Sequence, residues 1–450
     1  MAEPVIIAKS HSIAGLQAFI SQAYKSRFVR NVAVVASGTA GAQAIVIAFS
    51  PIITRLYGPE AFGILGTFMA IVAVITPIAA MSYPIAIVLP KEDSDARGIA
   101  RLSAYIALGV TALTTLVLLT FGNHIVRLLQ VQEISFYIWL LPLVILFAAW
   151  LQINQQWVIR KKHFGLKARA AVLHAFLVNG AKAGMGLFKP LAAVLIVFYA
   201  LGQALHAALL FFGTKRAERQ QAQEEKRDQQ TSLKALARRH YDFPLYRAPQ
   251  ISINAVSQSL PVLMLAAFFG PASAGFYVLC KKLLGMPSTL IGKSVGDVFY
   301  PRITEAAHKS ENLARLIIKA TISLAAVGII PFGLIMAFGP WLFGFVFGAE
   351  WVVAGEYARW LALWMFFMFL NNPSIKTMPI ISAQGFHLVF TFFTISIRLI
   401  VLALGYYIFQ SDIVAVALFG VSGALINIIL IFIVLMKCVK FDNSKFKKAM

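Results

Sequence analysis

The chain has 450 residues, of which 59% are hydrophobic and 13% charged. A soluble domain carries about a quarter charged residues, so an ordinary globular enzyme is excluded. The net charge of +22, from 40 basic and 18 acidic residues, would suggest nucleic acid in a soluble protein, but here the basic residues are interleaved with long apolar runs, which points to a membrane and not to nucleic acid.

Residues 1–30 are polar and basic and lack the apolar core of a signal peptide. The first apolar stretch is therefore expected to act as its own insertion signal. A bilayer-crossing helix needs roughly 20 mostly apolar residues. Such stretches fall near 31–54, 61–89, 102–121, 134–157, 169–188, 190–213, 246–269, 273–300, 315–338, 355–375, 383–409 and 412–436. They predict an all-α polytopic membrane protein of about 12 transmembrane helices. Residues 31–213 form an N-lobe of six spans, and 214–245 a basic cytoplasmic linker. Residues 246–437 form a C-lobe of six more, and 438–450 a basic tail. The linker, with Glu224-Glu225-Lys226-Arg227, reads either as a surface helix on anionic lipid or as a solvated tether.

The short segments on one side of these spans hold 31 of the 40 basic residues. By the positive-inside rule that side is cytoplasmic, so both termini are expected inside.

Gly-Pro pairs at Gly58-Pro59, Gly270-Pro271 and Gly339-Pro340 are expected to end helices in the opposite loops. Gly58-Pro59-x-x-x-Gly63 and Gly270-Pro271-x-x-x-Gly275 are 212 residues apart. Pro90 and Pro301, expected to close spans two and eight, are 211 apart. The recurrence predicts a parallel repeat about an axis along the membrane normal. Transporters with such halves bind substrate between them.

Three stretches carry a family resemblance. The first is Thr54-Arg55-Leu56-Tyr57-Gly58-Pro59-Glu60-Ala61-Phe62-Gly63, followed by Ala86-Ile87-Val88-Leu89-Pro90 and Glu92-Asp93. The second runs from Leu283 to Pro287, then Ile291-Gly292 and Val298-Phe299-Tyr300-Pro301. The third is Phe347-Gly348-Ala349-Glu350-Trp351 with Ala354-Gly355-Glu356-Tyr357. Over roughly residues 30–440 the chain resembles the Wzx-type polysaccharide flippases of the multidrug/oligosaccharidyl-lipid/polysaccharide exporter (MOP) superfamily. The resemblance implies two six-helix lobes around a central cavity, no cofactor and no catalysis. It implies transfer of undecaprenyl-diphosphate-linked oligosaccharide from the cytoplasmic to the periplasmic leaflet of a bacterial inner membrane. Polysaccharide polymerase and chain-length proteins are the implied partners, besides membrane lipids. At Lys281-Lys282 the family pattern leads one to expect an Arg near the second position; Lys supplies charge there but not a bidentate fork.

Charges inside spans are costly and usually face a cavity. Arg55, Lys182, Lys282 and Arg398 are the candidate substrate-binding residues, a ring of cations suited to a diphosphate or an acidic sugar. Adjacent helix positions point about 100° apart, so Lys281 and Lys282 are not both expected to face the cavity. The match to the family position selects Lys282. Asp297, four residues after Lys293, is either an ion-coupling carboxylate or half of a structural pair. His174 and His206 read as lone packing imidazoles. Asn154, Gln155, Gln156, Asn254, Gln258 and Asn427 read as interhelical hydrogen-bonding groups.

Pro287 through Ser294 ends like a phosphate-binding loop. Its first position is not Gly and no soluble strand precedes it, so it is not an ATP site. Cys280 and Cys438 are too few for a metal site or disulfide framework. Two other readings compete. A cation-drug exporter would need acids in its cavity. A membrane glycan polymerase or ligase would need a sizeable outer loop, and none is present.

Overall fold

The computed structural model describes residues 27–128, 132–220, 231–287, 293–309, 311–381 and 383–449. All regular structure among them is helical. Lipid offers no partner for backbone N–H and C=O groups, so a helix, which satisfies them internally, is the economical way across. The main helices are α1 (Arg27–Ala79), α2 (Asp93–Leu128), α3 (Leu141–Arg160), α4 (Phe164–Gly186), α5 (Ala192–Gln220) and α6 (Ala248–Phe269). They continue as α7 (Pro271–Pro287), α8 (Lys293–His308), α9 (Leu313–Phe347), α10 (Val352–Leu370), α11 (Gln384–Tyr407) and α12 (Asp412–Ala449).

Among the described residues, 9 helices are long and apolar enough to cross a membrane. The first of them, α1, is 53 residues long and breaks at Gly58 (φ 67°, ψ 173°), so its two arms cross separately. Two more crossings are less apolar for a reason. Helix α4 carries Lys167, Arg169 and Lys182, and α7, 17 residues long, carries Lys281 and Lys282. Of these, Lys182, Lys281 and Lys282 line an interior cavity. Lipid-facing helices show the opposite bias: Leu108, Leu113, Leu116 and Leu119 of α2 and Ile322, Ile329 and Ile330 of α9 are exposed. With the arms of α1 counted apart, the crossings agree with the expected dozen.

Two of the three Gly-Pro pairs are turns. Gly270 (φ 89°, ψ 175°) repeats the conformation of Gly58, and each is followed by a proline that opens a helix. Only glycine adopts this backbone without strain. Gly339-Pro340 instead lies inside α9, and the turn expected there falls at Gly348 (φ 111°). The closing prolines are also displaced. Helix α1 stops at Ala79, a short helix Tyr83–Ala86 follows, and Pro90 lies in the loop beyond it. Pro301 lies within α8. Membrane helices tolerate proline where neighbouring groups take up the freed carbonyl, as Pro51, Pro77, Pro261 and Pro331 also illustrate.

Helix α1 is the seam of the molecule. It packs on α4 within its own lobe and on α6 and α7 of the other. The C-lobe core is α9, α10, α11 and α12, with Trp351, Tyr357, Phe332, Phe369 and Phe419 fully buried.

The described residues of the linker pack on the N-lobe, which neither sequence expectation included. Helix α5 runs on to Gln220, past the lobe boundary expected at 213. A short helix Leu233–Arg239 begins at Ser232, whose side chain accepts from the Ala235 amide at 3.3 Å. This helix docks on the N-lobe. Leu236 is buried against Gly98, Tyr83 Oη donates to the Ala237 carbonyl at 3.2 Å, and Arg239 lies 3.8 Å from Asp95. Next to it Arg160 donates to the carbonyls of Ile87 (3.1 Å) and Pro90 (2.6 Å), and both Arg160 and Lys161 pair with Asp93. Truncating a buried leucine costs about 2–5 kcal/mol. Leu236→Ala should therefore release the short helix, lower the thermal unfolding temperature in detergent and speed proteolysis near residue 230. Unchanged proteolysis would show that the docking contributes little.

Candidate functional site

A cavity of about 470 Å³ lies between α1, α4, α5 and α7. Helix α4 presents His174, Val178 and Lys182, spaced by four so that they share one face, with Asn179 beside them. Tyr57 Oη donates to the Lys182 carbonyl at 2.7 Å and fixes this part of α4 against α1. Helix α5 adds Tyr199, Gly202 and Gln203, and the first arm of α1 adds Gln43. Helix α7 contributes Lys281, Lys282, Gly285 and Met286. Two adjacent pairs one turn apart mean that the cavity wraps around α7. Both lysines line it, not Lys282 alone.

The three lysines are not equivalent. Lys281 Nζ donates to the Gln258 carbonyl of α6 at 2.8 Å and lies 6.0 Å from the Tyr277 ring. Lys182 and Lys282 have no hydrogen bond or ion pair among the described residues. Among the described residues no Asp or Glu lines the cavity. Two cations without partners among the described residues and a third held on a carbonyl give the cavity a positive lining.

The other two members of the expected ring sit elsewhere. Arg398 lies within the C-lobe, its guanidinium 5.0 Å from the Trp364 ring and 5.4 Å from that of Phe419. It borders a narrow groove between α6 and α11. Its Nε is buried with no hydrogen-bond partner. Arg55 lies at the Gly-Pro end, where its Nη2 donates to the Phe345 carbonyl across the lobes at 2.7 Å. The side chains of Lys293 and Asp297 lie outside the described residues.

The Gly-Pro end is sealed. Trp351 Nε1 donates to the Thr54 carbonyl at 3.1 Å, and the Phe62 ring meets Trp351 edge-on at 5.2 Å. A β-carbon on Gly63 would stand 1.6 Å from the Pro271 oxygen, and one on Gly275 would stand 2.0 Å from the Pro59 oxygen. The two recurring motifs thus pack on one another reciprocally, each glycine beneath the other's proline.

Towards the linker end lies a second open cavity of about 360 Å³ that shares Tyr199 and Gln203 with the first. It is bounded by Thr76 and Pro77 of α1, Gln152 and Gln155 of α3 and Asn254 of α6. Of these amides the sequence reading singled out Gln155 and Asn254 and missed Gln152 and Gln203. The i, i+3 spacing of Gln152 and Gln155 on an apolar helix was the available signal.

Two features here are tertiary and a third is local to one helix. The rings of His174 and His206 stack at 4.7 Å and 18°, so they are a pair across α4 and α5 and not lone imidazoles. Asp412 accepts from Ser273 Oγ at 2.8 Å and Tyr357 Oη at 2.6 Å, tying α7, α10 and α12 together. Glu356 in α10 pairs with Arg359 at 3.2 Å.

Solved structures share this fold. An inward-facing multidrug resistance MATE family transporter of the MOP superfamily superposes with a TM-score of 0.67 at 13% identity, over 88% of this chain and 95% of that one. The lipid II flippase MurJ in an inward closed conformation gives 0.63 at 13%, over 91% and 89%. A MOP superfamily transporter from Pyrococcus furiosus, described as having a binding pocket of reverse polarity, gives 0.57 at 12%, over 91% and 96%. No curated protein matches the sequence. The sequence family described as "Polysaccharide biosynthesis protein" matches residues 52–356. That match spans the Gly-Pro motifs, the sealed end, the second cavity and all of the lysine cavity's lining except Gln43 and Val46, and it places the chain in the polysaccharide biosynthesis protein family.

Proposed function

We propose that the protein is a flippase that carries polyprenyl-diphosphate-linked oligosaccharide from the cytoplasmic to the periplasmic leaflet of a bacterial inner membrane. The product would feed O-antigen, capsule or exopolysaccharide synthesis, with polymerase and chain-length proteins downstream. The observation that carries this reading is the cavity lined by Lys182, Lys281 and Lys282, with no acid among its described residues, in a member of a polysaccharide biosynthesis family. Ammonium groups bind phosphate oxygens by charge-assisted hydrogen bonds. A cavity for cationic drugs would carry the opposite charge.

The cycle is alternating access. With the Gly-Pro end sealed, the diphosphate head and sugars enter from the linker end while the polyprenyl tail stays in lipid. Rocking of the lobes then parts Arg55 from Phe345, Trp351 from Thr54 and Gly63 from Gly275, and opens the other side. The basic linker end is cytoplasmic on the positive-inside rule. Single cysteines at residues 230 and 440 should react with a membrane-impermeant thiol reagent only from the cytoplasmic side. Labelling of either from outside would reverse the direction of transport.

The decisive assay uses proteoliposomes loaded with a polyprenyl-diphosphate disaccharide and an external glycan-modifying enzyme. Protein-dependent access of the enzyme to lipid from the inner leaflet supports the reading. Access equal to that in empty liposomes would end it.

A further inference from the structure

The lysine cavity accounts for a diphosphate but leaves its neighbour unexplained. Among the described residues that neighbour carries no charged side chain. Its polar lining is Gln152, Gln155, Gln203 and Asn254, with Thr76 and the ring of Tyr199. Several asparagines of the bundle are instead spent on structure. Asn154 donates to the Trp150 carbonyl at 2.8 Å, Asn179 to Ala175 at 2.7 Å, and Asn371 to Asn427 at 2.9 Å. Gln152, Gln155 and Asn254 have no such bond among the described residues. Their donors and acceptors are therefore free, and they converge from α3 and α6 on one space.

We propose that this neutral, amide-lined cavity is a sugar subsite, selective for uncharged hydroxyl- and acetamido-bearing sugars, and that the diphosphate of the same substrate sits deeper, among the lysines. The proposal rests on the flippase reading and divides its substrate between two compartments.

The chemistry of each compartment matches one part of such a molecule. A primary amide offers two donors and an acceptor with two lone pairs, which suits hydroxyl and acetamido groups that both give and accept. A carboxylate placed there would meet no cation, and an uncompensated charge is costly to desolvate. The deeper compartment reverses this. Each phosphate of a diphosphate diester carries one negative charge, and three lysines face it. Tyr199 stands at the junction of both cavities, held edge-on against Phe68 at 6.3 Å. Its ring offers an apolar face and its hydroxyl a polar tip, where the first sugar meets the phosphates. The order also fits entry. Gln155 lies five residues from Arg160, where α3 ends at the linker end, and Asn254 lies six from Ala248, where α6 begins. The glycan thus occupies the open mouth, and the diphosphate the closed end.

The test is equilibrium binding to the full-length protein in lipid nanodiscs with three probes. They are undecaprenyl diphosphate alone, the same lipid bearing a di-N-acetylhexosamine, and the same lipid bearing a disaccharide with one uronic acid. The wild type should bind the neutral glycolipid most tightly. Gln155→Ala and Asn254→Ala should each weaken it about 2- to 12-fold, the worth of one neutral hydrogen bond, and leave the bare diphosphate unchanged. Lys282→Ala should weaken all three. Amide variants that weaken the bare diphosphate as much as the glycolipid, or a wild type that prefers the uronic acid probe, would overturn the subsite. Bare diphosphate binding that ignores Lys282→Ala would instead overturn the flippase reading. Asn154→Ala, whose amide is already bonded within α3, is the control that should discriminate among no probes.

Discussion

Replacing Lys282 by alanine should weaken binding of a polyprenyl diphosphate about 10- to 150-fold, from the 1.5–3 kcal/mol carried by a hydrogen bond to a charged group. Lys282 lines the cavity and has no partner among the described residues, so its ammonium is free for a ligand. Lys182→Ala should behave alike. Lys281→Ala should differ, because its ammonium bridges α7 to the Gln258 carbonyl. Its loss should lower thermal stability together with affinity. Arg398→Ala is the informative contrast. Its guanidinium is stacked on Trp364 and Phe419 in the C-lobe, so its removal should cost stability through lost packing and cation–π contact, with a smaller change in affinity. A Lys182→Ala, Lys282→Ala double variant that exports glycan normally at normal protein level would remove the anion site from the mechanism. An Arg398→Ala variant that folds as the wild type does but loses affinity as Lys282→Ala does would show that the guanidinium reaches the substrate during the cycle.

The second large effect is at the crossing of α1 and α7. Gly63 and Gly275 meet backbone oxygens where any β-carbon would stand 1.6 and 2.0 Å away. A carbonyl within a helix cannot swing aside as a side-chain tip can, so the helices themselves must separate. Overpacking costs about 1–3 kcal/mol, which shifts the balance between sealed and open forms about 5- to 150-fold. Gly63→Leu and Gly275→Leu should therefore keep the Gly-Pro end open and stop the cycle. A Thr54→Cys reporter reads this directly, since Thr54 is buried at the seal and both native cysteines are buried and unpaired. It should be protected in the parent and react with a thiol reagent in the leucine variants. Continued protection with full transport would mean that the seal is not part of the cycle. Gly109→Leu, a glycine with open space around it, should leave both readouts unchanged.

The architecture was written in the hydropathy of the chain. Roughly 20-residue apolar runs have one stable solution in lipid, so the spans could be placed from composition, but several boundaries moved further: the second span ends at Ala79 and not near 89, and the stretch 273–300 divides between α7, which ends at Pro287, and α8, which begins at Lys293. The Gly58-Pro59 and Gly270-Pro271 turns were legible for the same local reason, since a positive φ demands glycine and a helix start accepts proline. Gly339-Pro340 has the same letters and lies inside α9. Whether a proline breaks a membrane helix depends on what its neighbours offer the freed carbonyl, which is not a local property. The embedded cations were likewise visible because charge in an apolar run is rare and costly, but the sequence could not say which of them share a cavity. Lys281 joined Lys282 because the cavity wraps around α7. Arg398 was drawn into the C-lobe by Trp364 and Phe419, and Arg55 across the seam to Phe345. His174 and His206, 32 positions apart, became a stacked pair only when α4 met α5. Length, polarity and backbone conformation act within one helix and so are carried by the sequence itself. The grouping of cations, the free amides and the two reciprocal glycines depend on which helix faces fit together, and that is decided by packing across the whole bundle.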